Sequence, residues 1–125
     1  MSLAVKAIIS SSDKLEKYVL TDEAIIQNGR KLFRIRALID IPEANVVAGD
    51  YGGFVQSEHN LSHKDSAWIG YSAMVFDQAR VSDDAQILDE SRAFNFAKIY
   101  GNAKICGDRI VWGFQREGGC YPFKL

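Results

Sequence analysis

The two histidines of the chain lie four residues apart, and each has an acidic residue close by in the sequence. His59 follows Glu58, and Asp65 comes two residues after His63. A neutral imidazole near a carboxylate can act as a general base toward a hydroxyl or an amine. Two solvated loop histidines fit the same pattern, so the preferred interpretation assigns no catalytic residue and keeps His63 and His59 as alternative bases.

Other patterns that could carry chemistry are weak. A metal site would combine both histidines with Glu58 and Asp65, but H-x3-H has little specificity without a helix to present it. The stretch AGDYGGF lacks the Lys-Ser/Thr ending of a phosphate-binding loop. Cys106 and Cys120 have no metal-binding spacing, and two reduced thiols are expected. We therefore expect no metal and no cofactor.

Composition limits the classes of partner. The 125 residues carry a formal net charge of −1, so no field exists to hold nucleic acid or an anionic membrane. The N-terminal sequence lacks the long apolar run of a signal peptide, and no stretch has the length of a membrane span. A single domain in the cytoplasm is expected.

A period of six residues determines the elements that would position any site. Stepping by six from Ala67 meets small residues, and stepping by six from Ile69 meets branched aliphatic residues, seven times in eight in each series. Hexapeptide periodicity is typical of a β-helix, here about 2.7 triangular coils of 18 residues. Both series face inward because residues i and i+2 of an extended segment point the same way. The predicted core is Ala67, Ile69, Ala73, Val75, Ala79, Val81, Ala85, Ile87, Ala97, Ile99, Ala103 and Ile105.

A β-hairpin is predicted before the hexads. Asn28-Gly29 is the favoured pair for a two-residue turn, in which both positions need φ > 0. After it, apolar and polar residues alternate, as in a half-buried antiparallel strand. The apolar side is Phe33, Ile35, Ala37 and Ile39, and the polar side is Arg34, Arg36 and Asp40.

The chain is thus predicted to be one all-β domain made of five segments. They are an N-terminal arm (1–16), the hairpin region (17–50), a glycine-rich connection that caps the helix (51–66), the hexads (67–112) and a C-terminal cap or tail (113–125).

Two adjoining stretches carry a resemblance. LFRIRALID, followed by AGDYGGFVQSEHNLSHKDSAWI and the hexads, resembles the YdcK-like family of bacterial and prophage proteins over roughly residues 17–108. In that family a tract G-G-[FY]-[VI]-x-S-E-x-N-L-S leads into A-x-V hexads, and residues 52–62 match it. The resemblance implies a single-stranded left-handed β-helix. Members are often labelled transferases because the coil looks like that of hexapeptide-repeat acyltransferases, which is an analogy of fold alone.

Outward residues sort onto three faces because 18 residues make one coil. The first face shows Trp68, Gln86 and Lys104, beside Gly70, Leu88 and Cys106. The second, called here the apolar face, shows Met74, Phe76, Arg92, Phe94, Ile110 and Trp112. The third shows Arg80 and Lys98, beside Ser82 and Tyr100.

The apolar face is the predicted binding surface, because monomers rarely leave so large an apolar area exposed. Either the hairpin or the tail covers it, or it meets its copies in a symmetric oligomer. We expect a non-enzymatic structural or interaction module that self-associates or binds an unknown protein partner. The alternatives are a small acyltransferase-like enzyme with His63 or His59 as base, and small-ligand binding on the aromatic side chains.

Overall fold

A computed structural model describes residues 16–112 and the backbone of residues 114–115. Its strands are β1 (Tyr18–Gln27), β2 (Arg30–Ala37), β3 (Tyr51–Val55), β4 (Trp68–Ile69), β5 (Met74–Val75), β6 (Arg80–Val81), β7 (Gln86–Ile87), β8 (Arg92–Ala93), β9 (Lys98–Ile99), β10 (Lys104–Ile105), β11 (Ile110–Val111) and β12 (Phe114–Gln115). Two single-turn 3-10 helices span Pro42–Ala44 and Glu58–Asn60. In this part of the chain no helix has the length and apolar character that crossing a bilayer requires.

The hexads form a β-helix, which confirms the all-β prediction of a β-helix preceded by a hairpin. Three parallel stacks make its walls: β4, β7 and β10 under the first face, β5, β8 and β11 under the apolar face, and β6, β9 and β12 under the third face. Paired residues on the first wall lie 18 positions apart, so Ile69 pairs with Ile87 and Ile87 with Ile105. The left hand implied by the resemblance stays a prediction.

The interior of the β-helix contains the two inward series. All twelve predicted core residues are at most 1% exposed. Positive φ recurs at the corners, at Asp65, Asp77, Asp83, Asp89, Asn95, Gly101 and Gly107. The carboxylates of Asp77, Asp83 and Asp89 also accept hydrogen bonds of 3.0, 2.9 and 2.9 Å from backbone N–H groups one coil later. The corner aspartates therefore form turns and join successive coils.

The hairpin extends the wall of the apolar face. β1 and β2 pair around Asn28-Gly29, whose φ angles of 54° and 81° match the predicted turn. β2 is antiparallel to β3, and β3 is parallel to β5. The result is one six-stranded sheet in the order β1-β2-β3-β5-β8-β11.

The prediction that β2 is half-buried is wrong, because its central residues are covered on both sides. Ile35 packs into the core of the β-helix. On the other side, Leu32 forms a second buried cluster with Phe54 and Phe76. Arg34 is also buried there, although the alternating pattern places it on the solvent side.

Arg34 is held by rings and carbonyl groups. Its guanidinium lies 4.2 Å from the ring centroid of Phe54 and 3.8 Å from that of Tyr71. The same group donates hydrogen bonds to the carbonyl oxygens of Gly52 at 2.7 Å and Tyr71 at 3.0 Å. Ile39, predicted on the inner side, is instead exposed, because β2 ends at Ala37.

Part of the first face, at Trp68 and Gln86, is covered by the loop that follows β2. Trp68, predicted to point outward, is 3% exposed and belongs to the same buried cluster as Ile41 and Val46. Gln86, one coil later, donates a hydrogen bond of 3.0 Å to the carbonyl oxygen of Glu43 in this loop. Trp68 points outward from the β-helix and is nevertheless buried, because a loop distant in sequence packs over it.

Some predictions concern residues outside the described part. The arm falls there apart from its last residue, and so do residues 113 and 116–125 of the predicted tail, with Cys120 among them. Cys106 is disulfide-bonded, so the expectation of a reduced thiol is wrong for this residue. The cytoplasmic location stays a prediction.

Candidate functional site

His63 is engaged at both ring nitrogens. Its Nδ1 accepts a hydrogen bond of 3.0 Å from the backbone N–H of Lys17, and its Nε2 lies 3.1 Å from Glu58 Oε1. Because Nδ1 accepts, we assign the proton of the neutral ring to Nε2, which then donates to the carboxylate. The ring stacks on Tyr18 with centroids 4.1 Å apart. This geometry leaves no lone pair for a substrate.

His59 is exposed on the outside of the second 3-10 helix. Its Nε2 lies 3.3 Å from the carbonyl oxygen of Gln78, and this is a contact to backbone rather than to a carboxylate. The residues described contain no group of three or more His, Cys, Asp or Glu side chains that could hold a metal ion. The ring-nitrogen contacts of the two histidines are to backbone atoms and, for His63, to the carboxylate of Glu58.

Asn60 joins this cap to the next coil. Its Oδ1 accepts hydrogen bonds of 2.9 Å from the backbone N–H groups of both Gln56 and Ser57. Its Nδ2 donates to the carbonyl oxygens of Asp77 at 3.2 Å and Ala79 at 2.8 Å. The side chain is fully buried. The asparagine of the S-E-x-N-L tract thus has a structural role that its position in the sequence did not reveal.

Lys17 satisfies carbonyl groups at the start of the β-helix. Its buried Nζ donates hydrogen bonds of 3.3, 3.2 and 2.6 Å to the carbonyl oxygens of Lys64, Asp65 and Ala67. Burial lowers the pKa of Lys17 to about 8, although the negative charges of Asp65 and Asp84 act to raise this pKa. No sequence signal marks this lysine, because its partners lie about 50 residues away.

Tyr18 supports the same cap from the neighbouring position. Its hydroxyl donates a hydrogen bond of 2.6 Å to the carbonyl oxygen of Leu61. Burial, together with the charge of Glu58, raises the pKa of Tyr18 far above its usual range. The phenol therefore keeps its proton and its hydrogen bond at alkaline pH in the folded protein.

The pKa of Lys17 predicts how stability depends on pH. Between pH 8 and pH 10.5 the unfolded chain keeps a proton on Lys17 that the folded chain has lost, so the contribution of Lys17 to the free energy of unfolding rises with pH in this window. From pH 7 to pH 9.5 we expect a gain of about 2 kcal/mol in the wild type. Urea denaturation at several pH values should show this gain in the wild type and not in Lys17→Met.

Lys64→Met is the matched control for that measurement, because Lys64 is an exposed lysine in the same cap. It should keep the pH dependence of the wild type. If Lys17→Met keeps the same rise in stability as Lys64→Met, Lys17 does not titrate as its burial implies.

The structure divides the predicted apolar face into a covered part and an open part. Phe76 is 1% exposed beneath the hairpin, and Met74 packs against the same cluster. Phe94 is half-buried and stacks on Phe76 with ring centroids 5.3 Å apart. Trp112 meets Phe94 edge-on at 5.7 Å. The aromatic ladder thus continues past the edge of the hairpin.

Four residues form what we call the open end of the apolar face: Arg92, Phe94, Ile110 and Trp112. Ile110 is 52% and Trp112 is 62% exposed. Arg92 pairs in register with Ile110, and no carboxylate of the described residues forms an ion pair with it. These side chains supply apolar surface, π faces and one cation. The open end is therefore suited to binding rather than to proton transfer.

No model of a known protein family matches the chain, and no curated protein matches it. The likeness to the YdcK-like family depends on the tract at residues 52–62 and on the hexads that follow it, and membership of that family stays a prediction.

Proposed function

We propose that this protein is a non-enzymatic interaction module that binds a second copy of itself through the open end of the apolar face. One observation carries the proposal. The ladder of outward aromatic residues is buried under the hairpin at Phe76, and it continues to Trp112, which is 62% exposed.

The exposed area supports association. An aromatic side chain can bury about 150–250 Å². The apolar patch at the open end consists of Trp112 together with Ile110 and the accessible part of Phe94. Soluble monomers rarely leave a contiguous apolar patch of several hundred Å² in water. Burying such a patch provides the main favourable term in protein association.

The composition of the open end favours a second copy as its partner. In a twofold dimer the same patch meets itself, so each side chain of one copy can contact a different side chain of the other. The open end contains one cation and one indole, and a guanidinium over the face of a tryptophan is a favourable pair. If a twofold axis passes between Arg92 and Trp112, Arg92 of each copy lies over Trp112 of the other, so the pair forms twice.

The acyltransferase alternative has weaker support in the geometry. A general base needs a nitrogen lone pair within reach of the proton that it abstracts. His63 has partners at both nitrogens, and His59 lies against a backbone carbonyl. Small-ligand binding at Trp112 is a separate outcome, and the following experiment distinguishes it from self-association.

Trp112→Glu should abolish self-association without unfolding the protein. The wild type is expected to sediment as a dimer at tens of micromolar, and the variant as a 14.0 kDa monomer. We expect the dimer to be at least tenfold weaker, because the substitution removes both indoles from the interface, and a solvated ion pair with Arg92 would restore only about 0–1 kcal/mol. Sedimentation velocity over a hundredfold concentration range measures this, and circular dichroism checks the fold.

Ile26→Glu is the matched control, because Ile26 is an apolar residue of β1 that is 68% exposed. It should sediment like the wild type. A wild type that stays monomeric at every concentration would contradict the proposal. Equal effects of the two substitutions would also contradict it.

A further inference from the structure

We propose that the third face binds a small phosphate- or sulfate-type oxyanion through the side chains of Arg80, Lys98, Ser82 and Tyr100. The proposal concerns a different surface from the open end of the apolar face and does not depend on self-association.

The third face keeps its outward side chains accessible. A loop covers Trp68 on the first face, and the hairpin covers Phe76 on the apolar face. On the third face Lys98 is exposed, and Arg80, Ser82 and Tyr100 are partly exposed. Among the described residues of this face, polar side chains therefore stand side by side in solvent.

Two cations lie next to each other on this face. Arg80 and Lys98 pair in register in the parallel strands β6 and β9, and neighbouring strands are about 4.8 Å apart. Like charges directly opposite in a sheet destabilise it. Among the residues described, no carboxylate forms an ion pair with either side chain. A bound anion would relieve the repulsion between them.

Arg80 has one direct contact that positions it. Its guanidinium donates a hydrogen bond of 2.7 Å to the carbonyl oxygen of His59, which fixes the side chain against the cap. A guanidinium carries five N–H donors, so donors remain for a ligand. Lys98 supplies an exposed ammonium group from the next strand.

Two hydroxyl groups complete the surface. Ser82 and Tyr100 follow the cations by two residues, so they point to the same side and lie one coil apart. Together with Asp83 these four residues line a shallow groove of about 330 Å³. Two cations and two hydroxyl donors match the acceptor oxygens of a phosphate or sulfate group.

Asp83 limits the affinity of this groove for anions. Its carboxylate accepts the hydrogen bond of 2.9 Å from the backbone N–H of Gly101, which holds a negative charge at the corner. Asparagine in its place would keep an acceptor oxygen and remove the charge. The proposal therefore predicts substitutions that weaken binding and one that strengthens it.

The test is a titration of the full chain with inorganic phosphate and with phenyl phosphate, followed by amide chemical shifts at constant ionic strength. Saturable shifts should be largest near Arg80, Ser82, Lys98 and Tyr100. Lys98→Gln should weaken binding at least fivefold. Lys104→Gln is the control, because it removes an exposed cation of the first face, and it should change the affinity less than twofold.

Asp83→Asn should strengthen binding about threefold. Its control is Asp89→Asn, because Asp89 makes the same corner hydrogen bond to Gly107 but does not line the groove. Tighter binding of phenyl phosphate would identify an organic monoester as the ligand, and equal binding would identify the free ion. The proposal is overturned if no shift saturates, or if each variant behaves like its control.

Discussion

Gly53→Ala is expected to lower the free energy of unfolding by about 3 kcal/mol or more. A methyl carbon at Gly53 would lie well inside 3.0 Å of the carbonyl oxygens of Gly70 and Ala73, and 2.8 Å from the Cγ2 of Ile69. The two carbonyls belong to the corner between β4 and β5, where the Ala73 carbonyl accepts a hydrogen bond from the Phe54 N–H and the Gly70 carbonyl accepts one from the Ala73 N–H. The clash cannot be relieved by rotating a side chain.

The control for this variant is Gly70→Ala. A methyl carbon there would meet its nearest atom, the carbonyl oxygen of Ile87, at 3.3 Å, so a shift of a few tenths of an ångström would accommodate it. We expect a loss of about 1 kcal/mol or less. Urea denaturation measures both. A Gly53→Ala variant as stable as Gly70→Ala would show that the chain does not enter the β-helix as described.

Asn60→Ala is expected to cost about 3 kcal/mol. The substitution removes four hydrogen bonds and leaves the N–H groups of Gln56 and Ser57 and the carbonyl groups of Asp77 and Ala79 without this partner. Leaving a buried polar group unsatisfied costs about 1–3 kcal/mol, and water entering the cavity can recover part of the total.

Asn102→Ala is the matched control, because Asn102 is an exposed asparagine at a corner of the β-helix. It should change stability by less than about 0.5 kcal/mol. Hydrogen exchange provides a second readout, since the amides of Gln56 and Ser57 should lose protection in Asn60→Ala. Equal stability of the two variants would contradict the role of Asn60 as the joint between cap and coil.

The β-helix could be predicted because its determinants are local and repeated. Most hexads place a small and a branched residue on the same side, as at Ala67 and Ile69, and a turn former at the corner. The Asn28-Gly29 turn is equally local. Such signals need no knowledge of distant contacts.

What covers the faces could not be predicted, because it depends on residues far apart in sequence. The loop at Ile41 buries Trp68, and Leu32 helps to bury Phe76. Lys17 reaches carbonyl groups about 50 positions later. A pattern of apolar and polar residues shows which side of a strand is apolar. It does not show which other segment of the chain will pack on that side.

The candidate site illustrates the same limit. The sequence places six residues on one apolar face, and the structure separates them according to how far the hairpin extends. Phe76 becomes core, and Trp112 stays open. The packing of hairpin residues such as Leu32 against Phe76 sets this boundary, and the hexads carry no signal for where the hairpin lies.

Intermolecular contacts at Ile110 test the central claim most directly. In a mixture of methyl-labelled and unlabelled chains, an isotope-filtered NOE experiment detects contacts between copies alone. The methyl group of Ile110 is expected to show cross-peaks to aromatic protons of the other copy, and the methyl group of Ile26 to show none. Two results would contradict self-association through the open end of the apolar face. One is the absence of cross-peaks from Ile110 at the concentrations at which the sedimentation of Trp112→Glu and the wild type is compared. The other is the appearance of cross-peaks from Ile26 in their place.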